Sequence, residues 1–235
     1  REKSFVLKLD GIPVDFNFHL SMKPNTPNKR VTDGFTLIEL LTVIAIISIL
    51  AAILIPAVGV ATDQVKGAQT RSFFNQIATA INEFNNVYGY YPTFGGNRSA
   101  IGNDTLFVLE NSQDTDHLLK TLAGRDYNGI ELSQSDAAIY NPKRRQFMTF
   151  VQNNFATDAS TGNVSDQIGD AFGNTNIVII MDYNKDGSLP SSAFATAVSL
   201  ADASVSAVTP EVSGNVYATV AIYSAGNGEI IATWE

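Results

Sequence analysis

The segment that decides the fold is GFTLIELLTVIAIISILAAILIPAVGVAT, residues 34–62. From Leu40 to Thr62 it contains no charged residue. This run exceeds the roughly 20 residues that a helix needs to cross a hydrocarbon layer of about 30 Å. A buried helix of a soluble protein is seldom apolar on all sides at this length. The segment therefore predicts a transmembrane helix over residues 35–62.

The charges that flank this span predict its orientation. Lys23, Lys29 and Arg30 precede it, opposed by Asp33, and the first basic residue after it is Lys66. Basic flanks stay in the cytoplasm, so the N-terminus is predicted to be cytoplasmic and the C-terminal body to lie outside. A cleaved secretory signal peptide is the alternative, but its apolar region would be only about 7–15 residues long.

One acidic residue stands at the start of the apolar run. Glu39 follows Gly34 by five residues, with Phe35, Thr36 and two aliphatic residues between them. A charge at the centre of a membrane costs roughly 2.5–3.5 kcal/mol, and less near the interface. Glu39 is therefore either solvated at the level of the headgroups or placed to bind a positively charged partner.

Residues 34–41 read GFTLIELL and resemble the processing site of type IV prepilins and of type II secretion pseudopilins. The resemblance implies that prepilin peptidase cuts between Gly34 and Phe35 and methylates the new amine of Phe35. It also implies that Glu39 neutralises the terminal amine of a neighbouring subunit in a filament. An unpaired charge is penalised in a low dielectric, so such a pair can set the register between subunits.

Pro56 lies inside the apolar run, where it removes one backbone hydrogen bond and clashes with the preceding turn. Together with Gly59 it predicts a local weakening or kink of the helix. The resemblance implies a stretch that melts when the filament assembles. A static kink of a membrane helix is the alternative.

Residues 1–34 are predicted to be a leader. Met22 opens MKPNTPNKRVTDG, which has 13 residues and a net side-chain charge of +2, and this length suits the family better than 34. Residues 1–21 alternate like a strand but show no partner for it. We expect them to be an upstream translation artefact or a dispensable extension, and a genuine long leader is the alternative.

Beyond Pro56 the pattern becomes that of an amphipathic helix, which predicts one helix from Phe35 to about residue 87, ended by Gly89 and Pro92. Its second half would form the spine of a globular domain over residues 63–235. The apolar positions recur at about every fourth residue: Val65, Phe73, Ile77, Ile81, Phe84 and Tyr88.

The rest of the body predicts a short helix and a small sheet. The helix would be capped by Asp114 or Asp116 and closed by Gly124. Strands are expected at 177–181, 216–223 and 229–234, with loop at 157–176 and a variable insertion at 188–214. The fold class is therefore α+β, a type IV pilin-like fold in which a long N-terminal helix packs on a small C-terminal antiparallel sheet.

Three further segments resemble landmarks of the major pseudopilin of type II secretion: residues 88–93, 170–174 and 223–228. The chain departs from that family at Ala171 and Phe172, which replace Pro and Trp, and at Asn227, which replaces Asp. The resemblance implies a single-pass protein of the bacterial inner membrane with a periplasmic C-terminal domain.

The same resemblance implies several partners: copies of the chain itself, the prepilin peptidase, minor pseudopilins and an assembly platform in the membrane. Two alternatives stay open. The chain could be a subunit of a type IV pilus used for adhesion, motility or DNA uptake, or a monomeric membrane-anchored protein that binds calcium or glycans.

The composition argues against several other functions. Residues 35–235 hold nine Lys/Arg and 19 Asp/Glu, so the body lacks the basic surface that nucleic acids require. The chain has no Cys, which excludes disulfides and thiolate chemistry. It lacks G-x-S-x-G, G-x-x-x-x-G-K and H-E-x-x-H motifs, and His117 is the single His after residue 34. We therefore expect no catalytic residue.

One acidic motif suggests a metal site. Residues 182–187, DYNKDG, match the first half of a D-x-N-x-D-G calcium loop, in which alternate oxygens surround a hard cation. The twelfth position is Ala193, not the bidentate Glu of an EF-hand. Two interpretations remain open: a Ca²⁺ site formed by Asp182, Asn184 and Asp186, or an ordinary acidic turn.

Overall fold

The computed structural model describes residues 8–9, 12–13, 35–94, 97–101, 104–158, 160–194, 212, 214–225 and 230–234. The chain forms two compact units, residues 1–51 and 52–235. In the first unit, strands β1 (Lys8–Leu9) and β2 (Ile12–Pro13) pair antiparallel, with Leu9 opposite Ile12. The expectation that the strand-like pattern of residues 1–21 has no partner was wrong, because the segment pairs with itself.

Helix α1 (Leu37–Tyr88) is continuous over 52 residues and contains Pro56. Its end is the one that the sequence predicted. Gly89 has a φ of +82°, and its N–H donates to the carbonyl of Asn85 at 2.7 Å. Glycine tolerates this left-handed conformation without a Cβ clash, so the chain leaves the helix there.

Within the described residues, five strands form the main sheet in the order β3-β4-β7-β8-β9, and each adjacent pair is antiparallel. Their bounds are β3 (Asn97–Ile101), β4 (Asp104–Leu109), β7 (Ile177–Met181), β8 (Val220–Ser224) and β9 (Ile231–Ala232). A separate hairpin pairs β5 (Phe155–Thr157) with β6 (Val164–Ile168). The second unit also contains helices α2 (Ser112–Leu122) and α3 (Gln134–Tyr140), a 3₁₀ turn (Gln152–Asn154) and a short helical turn at 191–194.

The main core lies between the second half of α1 and one face of the sheet. The helix contributes side chains at i, i+3 and i+4 spacing, and the sheet contributes alternate residues of its strands. The buried members include Phe73, Phe74, Ile77, Ile81 and Phe84 from the helix and Phe107, Leu109, Ile177, Ile179, Met181 and Ile222 from the sheet. This arrangement confirms the predicted α+β fold.

A second core covers the opposite face of the sheet. The strand residues that point away from α1 are also buried, and they pack against the segment that follows β7 and against Trp234. The buried set consists of Leu106, Val108, Val178, Ile180, Ala221, Tyr223 and Ala232 from the strands and Leu189, Ala193, Phe194 and Val216 from the covering segment. Because both faces are buried, β7 is apolar throughout and β8 is an unbroken run of buried residues that ends at Ser224.

Several local predictions need correction. The strand at Ile177–Met181 is confirmed, but the last two strands are shorter than predicted and are β8 and β9. Asn111, and neither predicted aspartate, caps α2 by accepting from the N–H of Asp114. The predicted loop at 157–176 contains β6. The predicted insertion at 188–214 contains Leu189, Ala193 and Phe194, which belong to the second core. Residues 195–211 of this insertion lie outside the described residues.

Candidate functional site

A capping box fixes the start of α1. Thr36 is the N-cap residue and Glu39 the third residue of the helix. Oε2 of Glu39 accepts from the backbone N–H of Thr36 at 2.9 Å and from its hydroxyl at 2.8 Å, and the N–H of Glu39 donates to Oγ1 of Thr36 at 3.3 Å. Two N–H groups that have no partner within the helix are thus satisfied reciprocally.

The capping box is a role for Glu39 that the sequence analysis missed. The signal was present, because Thr36-x-x-Glu39 directly before an apolar run is the pattern of a helix N-terminus. Both hydrogen bonds from Thr36 to the carboxylate use Oε2. Among the described residues, Oε1 accepts no hydrogen bond and remains available to another donor.

The first half of α1 leaves its apolar side chains exposed. Large apolar residues from Phe35, which is 82 % exposed, to Val60, which is 62 % exposed, lie on all sides of the helix. Within the described residues, α1 is the one helix that is long and apolar enough to cross a membrane by length and composition. Monomeric soluble proteins rarely expose so large an apolar surface, so this segment requires lipid or other protein around it.

The few hydroxyls in the apolar half of α1 are satisfied by the helix itself. Thr42 donates to the carbonyl of Glu39 at 2.9 Å and Ser48 to that of Ile44 at 2.7 Å. Thr62 donates to the carbonyls of Val58 and Gly59 at 3.0 and 2.7 Å. A hydroxyl bonded within its own helix adds little to the cost of entering lipid. The segment is therefore compatible with a membrane along its whole length.

The structure tests the predicted site residues unevenly. Gly34 lies outside the described residues, and Phe35 directly precedes the capping box. Pro56 does not end the helix, and a Cβ added to Gly59 would meet no atom within 4 Å, so monomer packing does not require this glycine. Cleavage at Gly34, methylation of Phe35 and melting at Pro56 stay predictions.

The second landmark, at residues 170–174, joins the helix to the sheet. Asp170 is buried, and its Oδ1 accepts from the N–H groups of Phe172 and Asn174 at 2.9 Å each. Its Oδ2 accepts from the hydroxyl of Ser224 on β8 at 2.7 Å. On the other side of the turn, the N–H of Ala171 donates to Oγ1 of Thr70 in α1 at 3.0 Å. The turn therefore fixes the helix against the sheet.

The first landmark, residues 88–93, also has a structural role in the second unit, through Tyr88. The hydroxyl of Tyr88 donates to Oδ1 of Asn141 and accepts from the N–H of Lys143 at 2.9 Å, and Lys143 Nζ donates to the carbonyl of Val87 at 2.9 Å. A basic side chain at a helix C-terminus also interacts favourably with the helix dipole. Tyr88 is also partly buried and packs against the main core. Of the third landmark, residues 226–228 lie outside the described residues.

The DYNKDG turn follows β7. Asp182 is 1 % exposed, whereas Asn184 and Asp186 are exposed. Nearby, burial raises the pKa of Asp104, and the charges of Asp182 and Asp186 add to the rise, while backbone N–H groups of Asn184 and Tyr183 oppose it. In the described part of the chain, no three carboxylate, imidazole or thiol groups already converge on one point as a metal site.

Residues 29–55 match the family model described as the prokaryotic N-terminal methylation motif. The match includes Gly34, Phe35, the capping box and most of the exposed apolar half of α1. No curated protein and no solved structure matches the chain. The motif and the helix together support a type IV pilin-like, membrane-anchored precursor, the class that prepilin peptidase processes.

Proposed function

We propose that this chain is a structural filament subunit, a pseudopilin of a type II secretion system. Prepilin peptidase cleaves it between Gly34 and Phe35 and methylates Phe35. The helix holds the subunit in the inner membrane with the body in the periplasm, and polymerisation drives protein export. The methylation motif and the exposed apolar half of α1 support this proposal.

The observation that carries the proposal is the position of Glu39. Cleavage before Phe35 creates an α-amine, which is mostly protonated near neutral pH because its ordinary pKa is about 7.7–8.0. Glu39 stands four residues later at the start of a helix surrounded by apolar side chains, with Oε1 open to a donor. The amine of an adjoining subunit supplies a charge-assisted donor to this oxygen, and both charges are neutralised in the membrane.

Two features favour secretion over a surface pilus. The chain lacks Cys, whereas many pilins close a C-terminal loop with a disulfide. The turn around Asp170 links helix and sheet at the position where the major pseudopilins carry a similar turn. The partners proposed for the subunit are other copies of itself, minor pseudopilins and the assembly platform of the membrane.

The proposal is tested first by N-terminal sequencing of the membrane fraction, with and without prepilin peptidase. We expect a methylated Phe35 terminus with the peptidase and an uncut Gly34–Phe35 bond without it. Glu39→Ala should then abolish cross-linked oligomers, while Glu83→Ala, which removes an exposed carboxylate from the same helix, should leave them unchanged. An uncut bond in the presence of the peptidase would overturn the proposal.

The phenotype of a gene deletion distinguishes a secretion pseudopilin from a pilus subunit. Loss of protein export without loss of surface filaments supports the secretion pseudopilin. Loss of adhesion, motility or DNA uptake with intact export instead identifies a pilus subunit. A Glu39→Ala variant that stays fully functional as a monomer identifies a simple membrane-anchored binding protein.

A further inference from the structure

The turn at residues 182–187 holds its acidic side chains in a defined arrangement. Oδ1 of Asp182 accepts from the N–H of Asp186 at 3.2 Å and Oδ2 from that of Gly187 at 2.8 Å. Oδ1 of Asn184 accepts from the same N–H of Asp186 at 2.8 Å, and its Nδ2 donates to Oδ2 of Asp186 at 2.9 Å. Oδ1 of Asp186 accepts from both the N–H and the hydroxyl of Ser188, at 2.8 and 2.9 Å. Because each oxygen has two lone pairs, Oδ2 of Asp186 and the acceptor oxygens of Asp182 and Asn184 each keep capacity for one more partner.

A buried carboxylate on a different strand faces this turn. Asp104, the first residue of β4, is 3 % exposed, and its Oδ1 is buried without a hydrogen-bond partner. The carboxylate is in electrostatic contact with Asp182 and Asp186 and with the backbone N–H groups of Asn184 and Tyr183. An orphaned, buried carboxylate oxygen is rare in native proteins and requires an explanation.

N–H and hydroxyl groups donate to the carboxylates of the turn, but no basic side chain in the described part of the chain balances their charge. Among the described residues, none of Asp104, Asp182 and Asp186 forms an ion pair with a basic side chain. The nearest candidate in sequence, Lys185, directs its Nζ to the carbonyl of Gly89 at 3.2 Å. Burying two carboxylates beside a third without a cation is costly, because each charge loses its hydration and repels the others.

We propose that the turn at residues 182–187 binds Ca²⁺ through Asp182, Asn184 and Asp186, with Asp104 as the buried negative charge that the cation neutralises. Ca²⁺ accepts six to eight oxygens at variable geometry, including amide and backbone carbonyl groups, so three converging carboxylates are not required. Water completes the coordination, because Ala193 stands where an EF-hand has its bidentate Glu and is buried in the second core. Mg²⁺, which demands a near-ideal octahedron, fits such a turn less well.

Thermal unfolding of the full chain in detergent, with EGTA, CaCl₂ or MgCl₂, tests this proposal. At a hundredfold excess over Kd, Ca²⁺ should raise Tm by about 5–10 °C, and Mg²⁺ should raise it less. Asp186→Asn, at an exposed position that the fold does not bury, should remove most of the Ca²⁺ effect. Asp104→Asn should reduce it.

Asp158→Asn is the matched control. Asp158 is an exposed aspartate that accepts from the N–H groups of Ser160 and Thr161 in a turn of its own, with no buried carboxylate described behind it. This variant should keep the full Ca²⁺ effect. If Ca²⁺ left the Tm of the wild-type chain unchanged, the proposal would be overturned. The hydrogen bonds of the turn would then suffice without a cation, and Asp104 would be protonated. A full effect in Asp186→Asn would also overturn the site.

Discussion

The hydroxyl of Thr36 lies 2.8 Å from Oε2 of Glu39, so the acidic residue of the membrane segment is bound by its own helix. The same carboxylate is the group that the proposed filament requires for contact between subunits. These two roles use different atoms, because the bonds from Thr36 use Oε2 and Oε1 is left for a neighbour. Glu39 therefore acts both on the local helix and on assembly, and substitutions can separate the two roles.

Glu39→Gln should preserve the capping box and abolish assembly. Glutamine at the third helical position also accepts from the N–H of the N-cap residue, but it carries no charge to neutralise an amine. Cross-linking of membranes should show loss of oligomers, with Phe35 still processed. Thr36→Ala is the complementary variant: it removes the cap, at a typical cost of about 1 kcal/mol, and keeps the charge, so oligomers should persist at reduced yield. Equal assembly of Glu39→Gln and wild type would contradict the role of the charge.

Ser224→Ala should destabilise the body by about 1–3 kcal/mol. The hydroxyl is fully buried and donates to Oδ2 of Asp170 at 2.7 Å, so its removal deprives a buried carboxylate of a donor. The loss should fall at the lower end, because Nδ2 of Asn174 donates to the same oxygen at 3.1 Å. Urea unfolding gives the free energy, and Ser160→Ala at an exposed turn is the control. A change as small as that of the control would show that the bond is dispensable.

The fold and the site were predictable to different degrees. Three features could be predicted because each depends on local sequence: the apolar periodicity of α1, the end of this helix at Gly89 and the strand at Ile177–Met181. Strand β4, which lies between β3 and β7, was missed although residues 106–109 are a buried apolar run. A short apolar run does not by itself distinguish a buried strand from a segment of a buried helix. The second core was missed for a related reason: Leu189 and Phe194 lie in an Ala/Ser-rich stretch whose burial depends on a sheet face formed elsewhere in the chain.

Asp104 should make the stability of the calcium-free protein fall as the pH rises. The pKa of Asp104 is raised in the folded chain, so the folded state holds this proton more tightly than the unfolded state does. Stability from this group is therefore present below the ordinary pKa of about 3.9 and is lost as the pH rises through the raised value. In EGTA, the difference in stability between wild type and Asp104→Asn should change in this direction between pH 4 and 7. A constant difference would show that the group does not titrate there.

Phe194→Ala should cost about 3–5 kcal/mol, the usual range for truncating a buried phenylalanine. Phe194 is 2 % exposed, and its ring lies 5.0 Å from that of Trp234 and 6.2 Å from that of Tyr223, measured between centroids. Tyr217→Ala is the matched control, because this aromatic residue also follows β7 but is 88 % exposed. Urea unfolding of both variants should show a large loss for the first and a small one for the second. If both losses were small, the residues after β7 would be a removable insertion, and the sheet would be stable with this face uncovered. A large loss confined to Phe194→Ala means that the covering segment is part of the fold, because its side chains fill the space that strands β7 and β8 leave open.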